Sequence, residues 1–221
     1  MTKTMAKGYK GMGMEGSVAR WYEKTTRKDM NQYQELAMRL EANLPAGSDV
    51  LEVAPGPGFL SVELARSGRL HAHALEISKT MVELAGRNAA DARVTVDVQQ
   101  GNASYMPFAD NSFDLLVCRA AFKNFSEPVK APQEMHRVLR PGASGVIIDL
   151  RRDTPMSAIR EYVNGIGIGR INRWMTLLTF RFMLLKRAYT RQEIEQMLAQ
   201  VPFRRAEVHQ VAIGMEVWFE K

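Results

Sequence analysis

The apolar run Val50-Leu51-Glu52-Val53-Ala54 passes directly into Pro55-Gly56-Pro57-Gly58 and then into a helical pattern over residues 59–66 that Gly68 closes. Nothing else in the chain constrains the fold as much. A buried strand that feeds a tight glycine turn opening a helix is the first half of a strand–helix–strand crossover, and such crossovers force parallel pairing. The same rhythm then repeats. Strand patterns fall at 71–76, 94–99, 113–118 and 145–150, and helical patterns at 79–90 and 132–139, the latter stopped by Arg140-Pro141-Gly142. The alternation predicts an α/β, doubly wound, mostly parallel sheet with helices on both faces. The ending departs from this rhythm. Residues 206–213 and 215–220, of strand composition around Gly214, predict an antiparallel C-terminal hairpin after a helix at 191–200, which brings the count to seven strands.

With 221 residues, 46% of them hydrophobic, the chain has the material for one sizeable core. We read it as a single domain in four parts. Residues 1–48 form an N-terminal helical cap, whose helix at 29–43 places Tyr33, Leu36, Ala37 and Leu40 on one face. Residues 49–150 are the cofactor-binding core, 151–190 a lid over the carboxyl edge of the sheet, and 191–221 the closing helix and hairpin. The opening residues lack the apolar run of a signal peptide. Cys118 is the only cysteine, so a disulfide within the chain and multi-cysteine metal sites are excluded. A cytoplasmic location is expected. The greasiest stretch, 174–185, is interrupted by Arg181 and too short to span a bilayer.

Charge is concentrated in the lid. Residues 151–191 hold nine Lys and Arg against two acids, so this segment's +7 exceeds the whole chain's +6. Such a concentration argues for a local anionic partner, with a merely solvated basic helix face as the equal alternative.

Glycines after the first strand let the backbone approach a ligand, and Glu76, 18 residues beyond Gly58 at the end of the next strand, can accept both hydroxyls of a ribose. Together they point to an adenosine-containing cofactor. Alone, Glu76 reads as a solvated strand-end acid.

Over residues 50–149 the sequence resembles the class I S-adenosylmethionine-dependent methyltransferases. The likeness rests on five ordered motifs: Glu52 with Gly56 and Gly58; Glu76 in Leu75-Glu-Ile-Ser; Gly101-Asn-Ala-Ser-Tyr-Met-Pro-Phe; Phe113-Asp114-Leu-Leu-Val; and Arg137-Val-Leu-Arg-Pro-Gly-Ala143. Three positions depart from the family pattern, Ala54 and Ala143 where glycine is usual and Asn102 where aspartate is. The resemblance implies S-adenosylmethionine as cofactor. Amides around Ala54, Pro55, Gly56 and Gly58 would face its methionine part, Glu52 would hold the loop from beneath, and Glu76 would take the ribose. Asn102 would accept from the adenine amino group and the Ala103 amide would donate to a ring nitrogen, with Ile77 and Arg119 completing the cofactor set. The pocket keeps its width only if Ala54 adopts a negative φ. Tyr22, in Arg20-Trp21-Tyr22, resembles the aromatic that starts a helix closing over the cofactor; Trp21 reads rather as a core aromatic.

Arg119-Ala-Ala-Phe-Lys-Asn-Phe narrows the likeness to the ubiquinone/menaquinone biosynthesis C-methyltransferases. It implies Lys123 and Asn124 as catalytic residues that steady and orient a phenolate or enolate, with Phe122 at the acceptor; equally, Lys123 and Asn124 cap the following helix. In the lid, Arg151 and Trp174 are the acceptor-side candidates. The scattered histidines give no metal-ligand spacing, so no metal is assigned. The expected reaction is methyl transfer by in-line displacement to a small or lipid-like acceptor, such as a phenol or quinol ring with an anionic part, and peripheral membrane contact is open to the lid. Three rivals stand beside it. An RNA or DNA methyltransferase is disfavoured by the lack of Asn/Asp-Pro-Pro-aromatic after the fourth strand. A nicotinamide-dependent dehydrogenase suits the glycine turn but not the later motifs, and a non-catalytic cofactor-binding protein would account for Ala54, Asn102 and Ala143.

Overall fold

A computed structural model describes residues 8–10, 13–166 and 169–221; the rest of the expected cap (1–7, 11 and 12) and residues 167 and 168 of the lid lie outside the described residues. The seven strands are β1 Asp49–Val53, β2 His71–Glu76, β3 Val96–Gln100, β4 Phe113–Arg119, β5 Leu139–Leu150, β6 Arg205–Val211 and β7 Gly214–Glu220. They lie side by side in the order β3-β2-β1-β4-β5-β7-β6. Pairing is parallel from β3 through β5, and β7 runs antiparallel to both β5 and β6. The expected doubly wound sheet with its closing hairpin is therefore present. Gly214 is required where the hairpin meets β5, because a Cβ there would collide with the Asp149 carbonyl.

Helices α1 Gly16–Thr26, α2 Met30–Glu41, α3 Phe59–Arg66, α4 Lys79–Asp91 and α5 Lys130–Val138 surround the parallel strands. Two apolar clusters flank the sheet. One places Tyr33, Leu36 and Leu40 of α2 with Leu60 and Leu64 of α3 over Val50, Leu115 and Val117. The other gathers Leu51, Val53, Leu116, Met135, Ile147 and the hairpin's Val217 and Phe219. Strand order reverses between β1 and β4, which opens a crevice at their carboxyl ends, where open α/β sheets take ligands.

Two expectations change. Arg140-Pro141-Gly142 does not end the segment in a turn but kinks β5, whose register jumps from Phe113↔Leu139 to Leu115↔Ser144. The strand survives its proline because Arg140 is anchored to Asp49 (2.8 Å) and Asp114, and because Gly142 N–H donates to the Lys221 carbonyl (2.9 Å) and Lys221 N–H to the Ala143 carbonyl (3.0 Å). The lid, expected to contain an apolar helix at 174–185, is α6 Met156–Gly165, α7 Arg170–Thr179, a π-helical turn at Phe180–Leu184 and the short α8 Leu185–Arg187, before α9 Arg191–Leu198. The wide turn rotates the helix so that Phe180 and Leu185 both stay packed on Ile159 and Val163 of α6.

Candidate functional site

β1 delivers the loop 54–58 to the crevice, and the loop is fastened on three sides. Ala54 N–H donates to the Leu75 carbonyl (2.8 Å), Gly56 N–H to a Glu76 carboxylate oxygen (3.0 Å), and Gly58 N–H to the Pro55 carbonyl (3.1 Å). Pro55 and Pro57 have no N–H. Every amide of the loop is thus spoken for, which corrects the expectation that amides face a ligand. What remains are the Ala54 and Gly56 carbonyls, which accept no hydrogen bond from the described residues. Gly56 and Gly58 hold φ of +58° and +76°, and a Cβ on Gly58 would lie 2.8 Å from the Ala85 Cβ, so glycine there lets α4 pack tightly against the loop.

The condition set for Ala54 is not met: its φ is +57°, not negative. The loop follows the path glycine would take, and the methyl packs against the main apolar cluster instead of narrowing the crevice. Ala120, just beyond β4, has the same left-handed backbone at +59°, so both strand ends flanking the crevice carry local strain.

Glu76, buried at the tip of β2, accepts from Gly56 N–H and, through its other oxygen, from Ser78 N–H (2.9 Å). Burial pushes its carboxyl up, while those amides and that of Ile77 oppose the shift. Glu52 is fully buried beneath, accepting from the Ser61 hydroxyl on α3, and burial raises its pKa to about 7. It fastens the helix after the loop. Arg119, at the end of β4, lies over the Tyr33 ring (4.6 Å), donates to Gln32, and acts on both Glu52 and Tyr22.

Tyr22 projects from α1 toward the loop, its ring 3.8 Å from where a Gly56 Cβ would be. Burial drives its pKa up to about 12. Trp21, expected in the core, is 67% exposed on the other side of α1, because Ala19 and Tyr22 form the face that packs on α4. Asn102 and Ile77 meet near the tips of β2 and β3. The Asn102 side-chain oxygen accepts from Ser104 N–H (2.9 Å), closing a local turn, and the Ala103 amide has no acceptor among the described residues.

The sequence reading missed a strap. Gly8, Tyr9 and Lys10 run antiparallel to residues 124–126 through Lys10 N–H to the Asn124 carbonyl (2.7 Å) and Ser126 N–H to the Gly8 carbonyl (3.3 Å). A Cβ on Gly8 would fall 2.5 Å from Asn102 Nδ2 and 2.8 Å from Ile77 Cδ1, so the strap lies directly on that pair. Lys10 Nζ donates to the Tyr189 hydroxyl (2.8 Å), tying the strap to the end of the lid. Gly8 next to an aromatic was the only available signal. Also missed was Glu15, whose carboxylate accepts from the Lys79 and Thr80 amides and so holds the start of α4.

The acceptor-side candidates do not converge. Lys123 is 5% exposed and its ammonium is taken up by Asp149 (2.7 Å) and the Ala120 carbonyl (2.5 Å); its own N–H also donates to Asp149 (2.9 Å). The expected contact between Lys123 and an acceptor anion is corrected: the anion it serves is Asp149, and the pair fixes the loop after β4 in its strained path. Phe122 is 1% exposed, packed against Phe125 and Tyr189 in the core and not open to an acceptor. Asn124 is half-buried beneath the strap, its side chain without a hydrogen bond among the described residues. Arg151 lies with Nε 2.8 Å from Asp153 Oδ1, and its backbone bridges to Tyr189. Trp174 is 63% exposed on the outer face of α7, away from the buried face that a lid turns inward. The structure therefore brings together Tyr22, Glu52, the 54–58 loop, Glu76 and Arg119, and sets Ile77 and Asn102 beside them under the strap, with Ala103 next in the chain.

A glycine-turn crevice of this topology, with a carboxylate at the second strand's tip, defines a methyltransferase fold, and residues 51–147 match the family described as a methyltransferase domain. All five motifs of the sequence lie within that match. The chain is similar to a demethylmenaquinone methyltransferase of Renibacterium salmoninarum, 38% identical over 108 residues, which are 49% of this chain and 44% of that protein. It is also similar to a ubiquinone/menaquinone biosynthesis C-methyltransferase of Roseobacter denitrificans, 36% identical over 108 residues, with 47% and 43% of the two chains covered. The chain thus spans less than half the length of these relatives. In fold it matches a Methanococcus maripaludis protein solved as a candidate S-adenosyl-L-methionine-dependent methyltransferase, with a TM-score of 0.74 at 20% identity over 96% of this chain and 97% of that one.

Proposed function

We propose that the chain binds S-adenosylmethionine in the β1–β4 crevice and transfers its methyl group to a ring carbon of a quinol- or phenol-type lipid-like acceptor. One observation carries the cofactor reading: the Glu76 carboxylate is locked by Gly56 and Ser78 amides beside two carbonyls, Ala54 and Gly56, that have no donor among the described residues. Such a set suits a ligand that brings hydroxyls to a carboxylate and positive charge to bare carbonyls, as the ribose, ammonium and sulfonium of this cofactor do.

The bound cofactor supplies an electrophilic methyl group on a sulfonium. The protein's part is placement. With the Gly56, Ser78 and Ile77 amides on it, the Glu76 carboxylate keeps acceptor capacity for a ribose hydroxyl. Arg119 offers a guanidinium to a carboxylate, Asn102 and the Ala103 amide border a purine edge, and Tyr22 and the strap exclude water. Asn124 orients the acceptor's oxygen. Lys123 acts at one remove, by positioning the loop that carries Asn124. The ring acceptor rests on the likeness to demethylmenaquinone and ubiquinone/menaquinone biosynthesis methyltransferases and on the apolar lid.

Methyl-labelled S-adenosylmethionine incubated with the protein and a demethylated quinol, with a catechol alongside, tests this reading. Label on a ring carbon of the quinol is the expected result. Label on a catechol oxygen alone would move the acceptor class, and no label with any acceptor would remove the activity.

A further inference from the structure

The lid helix is apolar on two opposite sides, and only one of them is buried. Phe180 and Leu185 face α6, while Trp174, Met175, Phe182 and Met183 are each 52–63% exposed. Their spacing sets them on one outward stripe, since 174 and 182 lie two turns apart and the π turn carries 183 round beside 182. A soluble surface seldom shows four large apolar side chains in a row.

What borders the stripe states what covers it. From residue 162 to residue 192 the sequence has no Asp or Glu. Arg170, Arg181, Lys186 and Arg187 have no ion-pair partner among the described residues, and Arg181 and Lys186 stand 5.4 and 5.9 Å from the Phe182 ring. Beside the stripe, Arg152, Arg181 and Lys186 rim an open groove of about 570 Å³ floored by Met156 and Leu185. A second copy of this chain would bring the same cations against these cations. A partner that accepts apolar side chains and supplies negative charge at their edges fits both halves of the surface.

We infer that this face docks on an anionic lipid bilayer, with Trp174 and Phe182 entering the headgroup–acyl boundary and Arg181 and Lys186 meeting lipid phosphates. No helix among the described residues is long and apolar enough to cross a membrane, so the contact is peripheral. It stands on the lid's outer surface alone and is independent of the cofactor and the acceptor. It would set the crevice beside the phase in which a lipid-like acceptor dissolves.

The test is sedimentation of the whole chain with vesicles of phosphatidylcholine alone, or with a third of the lipid replaced by phosphatidylglycerol. Retention on the anionic vesicles, at least tenfold weaker on neutral ones and lost at high salt, is expected. Arg181→Glu with Lys186→Glu should weaken it by roughly fivefold or more for each charge removed. Phe182→Asp should abolish it while leaving the melting temperature and cofactor titration unchanged, since the side chain is at the surface. No retention, or equal retention on neutral vesicles, would overturn the inference. So would a solution mass showing a dimer that Phe182→Asp dissociates, because the stripe would then belong to a second copy.

Discussion

Ala54 holds a left-handed φ of +57° at the point where β1 turns into the crevice, in a conformation that costs an L-residue roughly 1–2 kcal/mol. Ala54→Gly should therefore raise the stability by about 1 kcal/mol in chemical denaturation and leave cofactor affinity intact, since the path of the loop is set by the bonds to Leu75 and Glu76. Glu52 gives a pH signature. Its folded pKa of about 7 lies above the unfolded carboxylate value, so between roughly pH 4.5 and 7 the folded state binds more protons. Stability contributed by neutral Glu52 is complete below that window and is lost as the pH rises through it, by about 3 kcal/mol. Glu52→Gln should flatten that part of the stability profile; an unaltered slope would place the titration elsewhere. Lys123 and Asp149 form a buried pair, so Lys123→Met alone should destabilise by about 3 kcal/mol by stranding a buried carboxylate, whereas Lys123→Met with Asp149→Leu should recover most of the loss. Lys123 itself was legible as a residue at the crevice edge. Its inward direction was not, because the partner that turns it lies 26 positions away on a different strand.

Among the elements, those whose signals are local came through best. The helix α9 is announced by Thr190 and Glu193, and the structure contains the reciprocal capping box between them. Thr190→Ala should cost about 1 kcal/mol in stability, readable as a lowered melting temperature without change in cofactor binding. β1, β2 and β4 were legible within a residue or two because continuous apolar runs bounded by turns read as buried strands. β5 was cut short in the sequence reading because Pro141 and Gly142 look like a stop. Arg140's bonds to Asp49 and Asp114, 91 and 26 residues away, are what keep the strand going. The lid's division by a π turn left no local mark, since it exists to keep Phe180 and Leu185 on α6, a tertiary demand.

For the whole molecule, the sheet order follows from crossover rules once the alternation is recognised, so fold and crevice were legible together. The acceptor side was not. Which face of the lid turns inward depends on α6, and the sequence reading put Trp174 on the wrong side. The strap that covers Asn102 and Ile77 has only three described residues and no periodicity to betray it. Everything proposed about activity rests on the Glu76–Gly56 junction holding an adenosyl cofactor, and calorimetric titration of the protein with S-adenosylhomocysteine, with Glu76→Ala in parallel, tests that claim most directly. Saturable heat with one site per chain, weakened at least tenfold by the substitution and absent with a nicotinamide dinucleotide, is the expected result. Heat from the nicotinamide dinucleotide alone, or a Glu76→Ala titration indistinguishable from the original, would contradict it.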